Sequence, residues 1–183
     1  MMGPQVPKEI IEAARSGGPA DVERLLEAVW VDAYRLAVAI LPHRQSAEDV
    51  AQEACVIMFR SIASLRNPEA FRTWFYRIVV REALKQKKLE AASMTLSTDV
   101  GYCDDRSDLI DLWRALGTLS DKLRTVIVLH YFEALTSREI GRILGIPEAT
   151  VRFRLLTARR KLRPLLKEHA SSTHSKGEEV YAL

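Results

Sequence analysis

Lysine and arginine side chains, which can bind phosphate, are concentrated in two segments of this 183-residue chain. Seven of them lie between Arg66 and Lys88 beside two glutamates, and nine lie between Arg138 and Lys167 beside two glutamates. The remaining residues are net acidic, so the formal charge of the whole chain is only +3. Because each cation placed on a phosphate releases condensed counterions, the two segments indicate surfaces for a polyanion such as nucleic acid. A solvated charged face is the alternative for either segment alone.

The second basic segment contains a local pattern for a helix, a tight turn and another helix. Thr136 and Glu139 have the spacing of a capping box, which predicts a short helix through Leu144. Gly145 can adopt the left-handed conformation that ends a helix, and Pro147 suits the first turn of the next one. This pattern predicts a helix-turn-helix, which places its second helix in the major groove of DNA. A plain helical hairpin with a charged outer face is the alternative.

The second helix of this motif has two contrasting faces. At about 100° per residue, one narrow arc contains the apolar residues Val151, Leu155, Ala158 and Leu162, which predicts a face turned to the core. The opposite side is rich in arginine, which bonds bidentately to guanine or to phosphate. Phe153 and Leu156, also on that side, suit either thymine methyl groups or a protein partner. The residues of this motif predicted to contact DNA are Thr136, Ala149, Arg152, Phe153, Arg154, Leu156, Arg159 and Arg160.

Patterns for catalysis or for a bound cofactor are absent from the sequence. It has no glycine-rich phosphate loop and no metal-ligand spacing, so we expect neither enzymatic activity nor a cofactor or metal. Two cysteines, Cys55 and Cys103, suit a reducing cytosol, and Cys55 is expected to pack inside a helix pair. No signal-peptide pattern and no apolar stretch of about 20 residues occurs, which predicts a cytoplasmic protein without membrane insertion. None of the four histidines, His43, His130, His169 and His174, has the spacing of a metal-ligand motif.

Apolar residues at three- and four-residue steps predict the helices that carry these surfaces. The first predicted helix runs from Ala20 to Leu41, and the second runs from Ala47 to Leu65 with Ser46 and Asp49 as a capping box. A third helix is predicted from Pro68 into the region 85–89, with Asn67 as its cap. Helical patterns resume at Leu109 and after Ser120, and strand patterns are absent, so the predicted fold class is all-α.

Between residues 91 and 107 the periodicity stops, and serine, threonine, aspartate and glycine dominate. This composition predicts a flexible linker between two small helical domains. The predicted organisation is an N-terminal extension at 1–19, a helical domain at 20–90, the linker at 91–107, a helix-turn-helix domain at 108–167 and a mobile tail at 168–183.

Two blocks of the sequence resemble the bacterial RNA polymerase sigma factors of the extracytoplasmic-function group. The first block, Ser-Ala-Glu-Asp-Val-Ala-Gln-Glu at 46–53 with Phe-Arg-Thr-Trp-Phe-Tyr-Arg-Ile at 71–78, is similar to the family's region 2. The second block, 113–162, is similar to its region 4. The resemblance implies two small helical domains that join core RNA polymerase, recognise promoter DNA and help to melt it. It also implies an anti-sigma factor as a partner.

The resemblance assigns residues to these roles. Asp49, Gln52 and Glu53 match the family positions that bind the clamp helices of the largest polymerase subunit, although an ordinary solvated helix edge would look the same. The segment that begins at Arg66 matches the element that melts the upstream strand and captures a flipped base, for which cations and aromatic rings are suited. Phe71 and Trp74 also have the spacing of core residues. The residues assigned to this melting element are Arg66, Asn67, Arg72, Trp74, Arg77, Arg81 and Lys85.

Departures from the family pattern concern the promoter sequence rather than the class of protein. Arg81 and Lys85 stand where the family usually has asparagine and an aspartate or asparagine, and Phe153 replaces a small polar residue. The loop 66–69 is shorter than usual. The alternative function is a helix-turn-helix repressor or activator that binds duplex DNA as a symmetric dimer without the polymerase. The region 2 block argues against it, because a repressor needs no second basic, aromatic helix.

Overall fold

The computed structural model describes residues 6–92 and 115–175. Helices and turns make up these residues, with no strand among them, which confirms the all-α prediction. Short 3₁₀ turns occur at Ile62–Ser64 and Pro68–Ala70. The helices are α1 Lys8–Arg15, α2 Pro19–Ile40, α3 Arg44–Ser61, α4 Phe71–Ala92, α5 Asp121–Tyr131, α6 Ser137–Leu144 and α7 Glu148–Ser175.

The N-terminal half of the fold consists of α1 to α4. Helices α2, α3 and α4 pack against one another in all three pairs, and α1 packs on α2. Leu25, Met58 and Phe75 are among the side chains that this packing buries completely, and burial of such side chains is the main source of stability for a helical bundle. The sequence did not predict α1, which lies in the segment expected to be an N-terminal extension. Its eight residues are too few for a periodic pattern, yet Ile11 and Ala14 join the core.

The second predicted helix begins and ends elsewhere than expected. Helix α3 starts at Arg44, so Ser46 already has helical backbone and does not cap it; the cap position is His43, whose side chain makes no capping hydrogen bond. Asp49 instead accepts a hydrogen bond from Gln45 at 3.3 Å. The helix ends at Ser61, whose hydroxyl donates back to the carbonyl of Ile57, and a 3₁₀ turn follows. A serine caps a helix only from outside it, which is why the capping-box prediction was wrong.

Asn67 caps the next turn as predicted. Its side chain accepts a hydrogen bond from the backbone nitrogen of Glu69 at 3.0 Å, and Pro68 occupies the first position of the turn. The turn is 3₁₀ up to Ala70, and α4 continues directly from it. This cap fixes the start of the basic helix α4 relative to α3.

The C-terminal half consists of α5, α6 and α7, which pack against one another. Helix α7 extends to Ser175, so 168–175 has helical backbone where the lack of an apolar stripe predicted a mobile tail. Backbone hydrogen bonds can continue a helix without an apolar face, which explains the difference. Most of the predicted linker, together with 176–183 and Cys103, lies outside the described residues.

The two halves pack together, α4 against α6 and α2 against α5. Their buried apolar side chains form one continuous core. No helix among the described residues is long and apolar enough to cross a membrane.

Candidate nucleic-acid interface

The helix-turn-helix of the C-terminal half has the predicted local geometry. Thr136 and Glu139 form a complete capping box, with the Glu139 nitrogen donating to the Thr136 hydroxyl at 3.3 Å and the Thr136 nitrogen donating to the Glu139 carboxylate at 2.8 Å. Burial alone would raise the pKa of Glu139, but the hydrogen bonds from Thr136 and the nearby charges of Arg72 and Arg142 together hold the pKa below its usual value. Gly145 is left-handed, with φ of 65°, and ends α6.

Gly141 sets how closely α6 approaches the turn. A Cβ atom at this position would lie 2.8 Å from the carbonyl oxygen of Ile146, and the Ile146 nitrogen donates to the Gly141 carbonyl at 3.0 Å. No pattern in the sequence indicates that α6 and the turn approach each other so closely at Gly141. Together, Gly141 and Gly145 fix the angle at which α7 leaves the turn.

Helix α7 buries and exposes the faces that were predicted. Val151, Leu155, Ala158 and Leu162 are all buried, which anchors the helix along one side. Phe153 is 68% exposed and Leu156 is 47% exposed, although both are apolar. The remaining predicted DNA-contacting residues are exposed except for the half-buried Arg154; the exposed ones are Thr136, Ala149, Arg152, Arg159 and Arg160.

Arg159 is held in place by two side chains of α5. Its Nε donates to the hydroxyl of Tyr131 at 2.7 Å, and its guanidinium lies 5.5 Å from the centre of the Tyr131 ring. Its second nitrogen lies 3.3 Å from Nε2 of His130, whose Nδ1 is 2.9 Å from the carbonyl of Leu135. These contacts indicate that His130 donates from Nδ1 and accepts at Nε2. The sequence pattern assigned no role to Tyr131 or His130 in the position of Arg159.

An exposed edge of α3 carries the residues expected to bind the polymerase. Asp49, Gln52 and Glu53 are all exposed on it. The same edge continues with two apolar side chains that the sequence analysis did not single out, Val56 at 38% and Phe59 at 56% exposure. Beside them is a groove between α2 and α3, lined by Leu26, Glu27, Trp30, Gln52, Cys55 and Val56.

Cys55 lies at the base of this groove and is buried, as predicted. Burial raises the pKa of its thiol to about 11, so the unreactive protonated form dominates at neutral pH.

Six of the seven residues expected to form the melting element, all except Arg72, occupy three different environments. Arg66 and Asn67 are exposed in the loop before α4. Trp74 is half-buried and lies 5.9 Å from the ring of the buried Phe71, so Phe71 belongs to the core and Trp74 packs against it. Arg77, Arg81 and Lys85 are exposed at four-residue steps on α4, which places them in one row. This row borders a groove that also contains Arg142 and Gly145 at the end of α6.

Arg72 and Arg77 also make hydrogen bonds to the C-terminal half. Arg72 donates to the backbone carbonyl of Glu133, which lies just after α5. Arg77 donates to the backbone carbonyl of Arg142 in α6. Lys87 adds an ion pair to Asp121 at 2.6 Å. In this arrangement the C-terminal half engages two of the cations assigned to DNA.

A cluster of buried polar groups lies at the centre of this contact between the halves. Asp32 and Glu133 are 6% and 4% exposed, and the Tyr76 hydroxyl donates to the Glu133 carboxylate. Burial, followed by the nearby charge of Glu133, raises the pKa of Asp32 to about 6. Burial and the same carboxylate raise the pKa of Tyr76, so its hydroxyl stays protonated and can donate. Sequence analysis did not predict this cluster, because no local pattern links residues so far apart in the chain.

Within the described residues, no group of three His, Cys, Asp or Glu side chains is arranged to hold a metal ion. His169 and His174 lie in the part of α7 for which only the backbone is described.

Family models match both halves of the chain. The model for sigma-70 region 2 matches residues 22–91, and the model for sigma-70, region 4 matches residues 109–162. The first match covers the helices that carry Asp49 and the basic row of α4. The second covers the whole helix-turn-helix.

Curated relatives and solved structures agree with this assignment. RNA polymerase sigma factor SigV of Bacillus subtilis (strain 168) is 36% identical over 146 residues, which cover 76% of this chain and 88% of SigV. ECF RNA polymerase sigma factor SigW of the same strain is 33% identical over 157 residues, covering 74% of this chain and 83% of SigW.

The sigma factor RpoE in complex with the anti-sigma factor NepR from Bartonella quintana has a similar fold, with a TM-score of 0.71 and 22% identity over 80% of this chain and 97% of that chain. CnrH, in complex with the cytosolic domain of CnrY, gives a TM-score of 0.68 and 23% identity over 88% of this chain and 97% of that chain. Regions 2 and 4 in this order, with relatives above 30% identity, show that the chain belongs to the extracytoplasmic-function group of RNA polymerase sigma factors.

Proposed function

We propose that the chain binds core RNA polymerase, recognises promoter DNA and promotes initiation, with the domains 20–90 and 108–167 handling different forms of DNA. One observation carries this proposal. Two sets of exposed cations lie on separate helices, α4 in the N-terminal half and α7 in the C-terminal half. A repressor that binds duplex DNA alone would use only the second set.

The edge of α3 is the proposed polymerase-binding surface. Asp49, Gln52 and Glu53 supply charge and hydrogen-bonding groups, and the exposed Val56 and Phe59 supply apolar contact area next to them. Interfaces commonly combine a desolvated apolar centre with polar groups around it. The combination supports a protein partner here in preference to a merely solvated helix edge.

The start and outer face of α4 form the proposed melting element. Arg66 and Asn67 lie in the loop, and the row of Arg77, Arg81 and Lys85 can follow the phosphates of an opened strand. Trp74 is half-buried, so only part of its ring is available for stacking on a base.

Helix α7 and the turn before it form the proposed surface for duplex DNA. The N-terminal part of α7 presents Ala149 and Phe153 to the base edges, with Arg152 on the flank where it can reach phosphate. Arg160 lies farther along the same side, and Arg154 lies at its edge. Tyr131 and His130 hold Arg159 so that less side-chain freedom is lost when it meets a phosphate.

Engagement of DNA by the whole melting element requires the two halves to separate. Arg72 is half-buried and donates to the carbonyl of Glu133, and Arg77 turns one of its nitrogens to the carbonyl of Arg142, so neither side chain is fully available to an opened strand in this arrangement. We therefore assign the compact arrangement to the free protein and a separated one to the polymerase complex. An anti-sigma factor that bound both halves would stabilise the compact arrangement. The site of action is the cytoplasm, where RNA polymerase is found.

Reconstituted transcription tests this proposal. The purified chain is combined with core RNA polymerase and a library of randomised promoters, and transcripts are sequenced. Glu53→Lys is expected to lower both initiation and affinity for core polymerase by about tenfold or more, because reversing a charge at an interface creates a like-charge contact. Glu12→Lys, on the exposed surface of α1, changes the net charge equally and is expected to stay within about twofold of wild type.

Failure of the chain to associate with core polymerase would overturn the proposal. Association without initiation at any member of the library would overturn it as well.

A further inference from the structure

The geometry points to Phe153 and Leu156 as a pair that recognises thymine methyl groups in the duplex element bound by α7. This inference rests on the proposed function and adds the base that is recognised. It assigns sequence preference to two side chains that donate and accept no hydrogen bonds.

The exposure of the pair on α7 needs an explanation. Phe153 is 68% exposed, more than any other large hydrophobic residue in the described part of the chain, and Leu156 is 47% exposed. They lie three residues apart, so their side chains are neighbours on one face of the helix. The opposite face supplies all of the packing, through Val151, Leu155 and Ala158. The core packing of α7 therefore comes from the other face, and the fold gains little from apolar side chains at these two positions.

The charges around the pair identify its partner. At about 100° per residue, Arg152 and Arg159 lie along one edge of the outward face, and Arg154 and Lys161 lie along the other. Phe153 and Leu156 lie between these two rows, and the exposed Arg160 follows them one turn later on the same line. An apolar pair flanked by cations matches a groove whose walls are phosphate chains and whose floor is made of base edges.

The row formed by Arg152 and Arg159 remains available to phosphate, and in the other row Lys161 is exposed while Arg154 is half-buried. Arg152 has an ion pair with Glu148 at 3.7 Å, but both side chains are exposed, so a phosphate can replace the carboxylate. Arg159 is oriented by Tyr131 through a neutral hydroxyl, which leaves its charge uncompensated by that contact.

The chemistry of the major groove leaves one apolar group for the pair to contact. Guanine, adenine and cytosine present hydrogen-bond donors and acceptors there, and thymine adds its C5 methyl group. Covering a donor or acceptor with a phenyl ring would leave it unsatisfied, which costs free energy. Contact with a methyl group instead removes apolar surface from water on both sides. The pair thus favours thymine and disfavours the other bases at the positions it covers.

Deoxyuridine substitution tests this inference, because it removes only the C5 methyl group. The preferred duplex is first selected from the promoter library with the full chain and core polymerase, and each thymine under α7 is then replaced in turn. We expect replacement at one or two neighbouring thymines to weaken promoter affinity by about fourfold each, the effect of one methyl group withdrawn from apolar contact. Phe153→Ser is expected to lose the dependence at one thymine, and Leu156→Ser the dependence at its neighbour. Phe153→Leu, which keeps an apolar side chain, is expected to retain it.

The possible results separate this inference from the proposed function. Initiation that is efficient but indifferent to every deoxyuridine would overturn the inference alone. A selected element without thymine under α7 would do the same, as would a Phe153→Ser protein that keeps the full dependence. If the Phe153→Ser protein kept its full dependence on the thymine methyl groups but no longer bound a protein partner, the pair would belong to the interface with that partner. Absence of initiation from the whole library would overturn the proposed function itself.

Discussion

At the scale of single residues, ionisation of Asp32 makes the stability of the protein depend on pH. It lies between the two halves, and the ionisable groups that face it are Glu133, Arg35, Arg72 and Tyr76. Burial and the Glu133 charge raise its pKa from 3.8 to about 6, which means that the folded protein favours the neutral carboxyl. Its contribution to stability is therefore complete below pH 3.8 and is lost as the pH rises through about 6.

Asp32→Asn keeps the shape of the neutral carboxyl and removes this pH dependence. We expect it to raise the free energy of unfolding by about 1 to 2 kcal/mol at pH 8, with a much smaller gain at pH 4. Urea unfolding at the two pH values measures the difference, and Glu23→Gln, an exposed acid on the same helix, serves as the control. An equal gain at both pH values would show that ionisation of Asp32 is not the cause.

At the scale of secondary-structure elements, the turn between α6 and α7 determines the orientation of α7, the helix that we propose binds duplex DNA. Gly141→Ala places a methyl group against the Ile146 carbonyl oxygen, which is backbone and cannot move aside without opening the turn. We expect a loss of about 1 to 3 kcal/mol in stability and a larger proportional loss of duplex affinity. Thermal unfolding and promoter binding by the polymerase complex measure both effects.

Gly117→Ala is the matched control, because a Cβ atom at Gly117 has no other atom within 4 Å. We expect this variant to change stability by about 0.5 kcal/mol or less. If Gly141→Ala left duplex binding as unaffected as this control does, the turn would not set the orientation of α7.

The same elements show which features could be predicted from the sequence. Thr136, Glu139 and Gly145 act through contacts within a few residues, so their spacing alone predicted the motif and its capping box. Ser46 has similar spacing to Asp49 but lies inside a helix that begins earlier, and only the surrounding packing determines that start. Contacts such as that of Tyr131 with Arg159 join residues 28 apart in the chain, so no local sequence pattern predicts them.

At the scale of the whole molecule, the contact between the halves determines how much of the proposed melting element is available to DNA. Tyr76→Phe removes the hydroxyl that satisfies the buried Glu133 carboxylate while keeping the ring in the core. A buried charge left without its hydrogen bond is costly, so we expect the separated arrangement to become about tenfold more populated. Fluorescence energy transfer between labels in the two halves measures this change.

Binding of single-stranded DNA should increase in parallel, because Arg72 and Arg77 are then released. Tyr34→Phe is the control, since the Tyr34 hydroxyl accepts a hydrogen bond from Arg44 within the N-terminal half at 3.1 Å. Equal energy transfer in the Tyr76→Phe protein and wild type would show that this hydroxyl does not hold the halves together.

The burial of Cys55 makes it a reporter for the groove beside the proposed polymerase-binding edge of α3. Because only the thiolate reacts, and burial suppresses it, a thiol-specific reagent must wait for α2 and α3 to part briefly. In a protein with Cys103→Ser, the rate of labelling measures how often α2 and α3 separate locally. Core polymerase bound over the groove should slow the labelling, so the reactivity of one native thiol can follow assembly of the transcription complex.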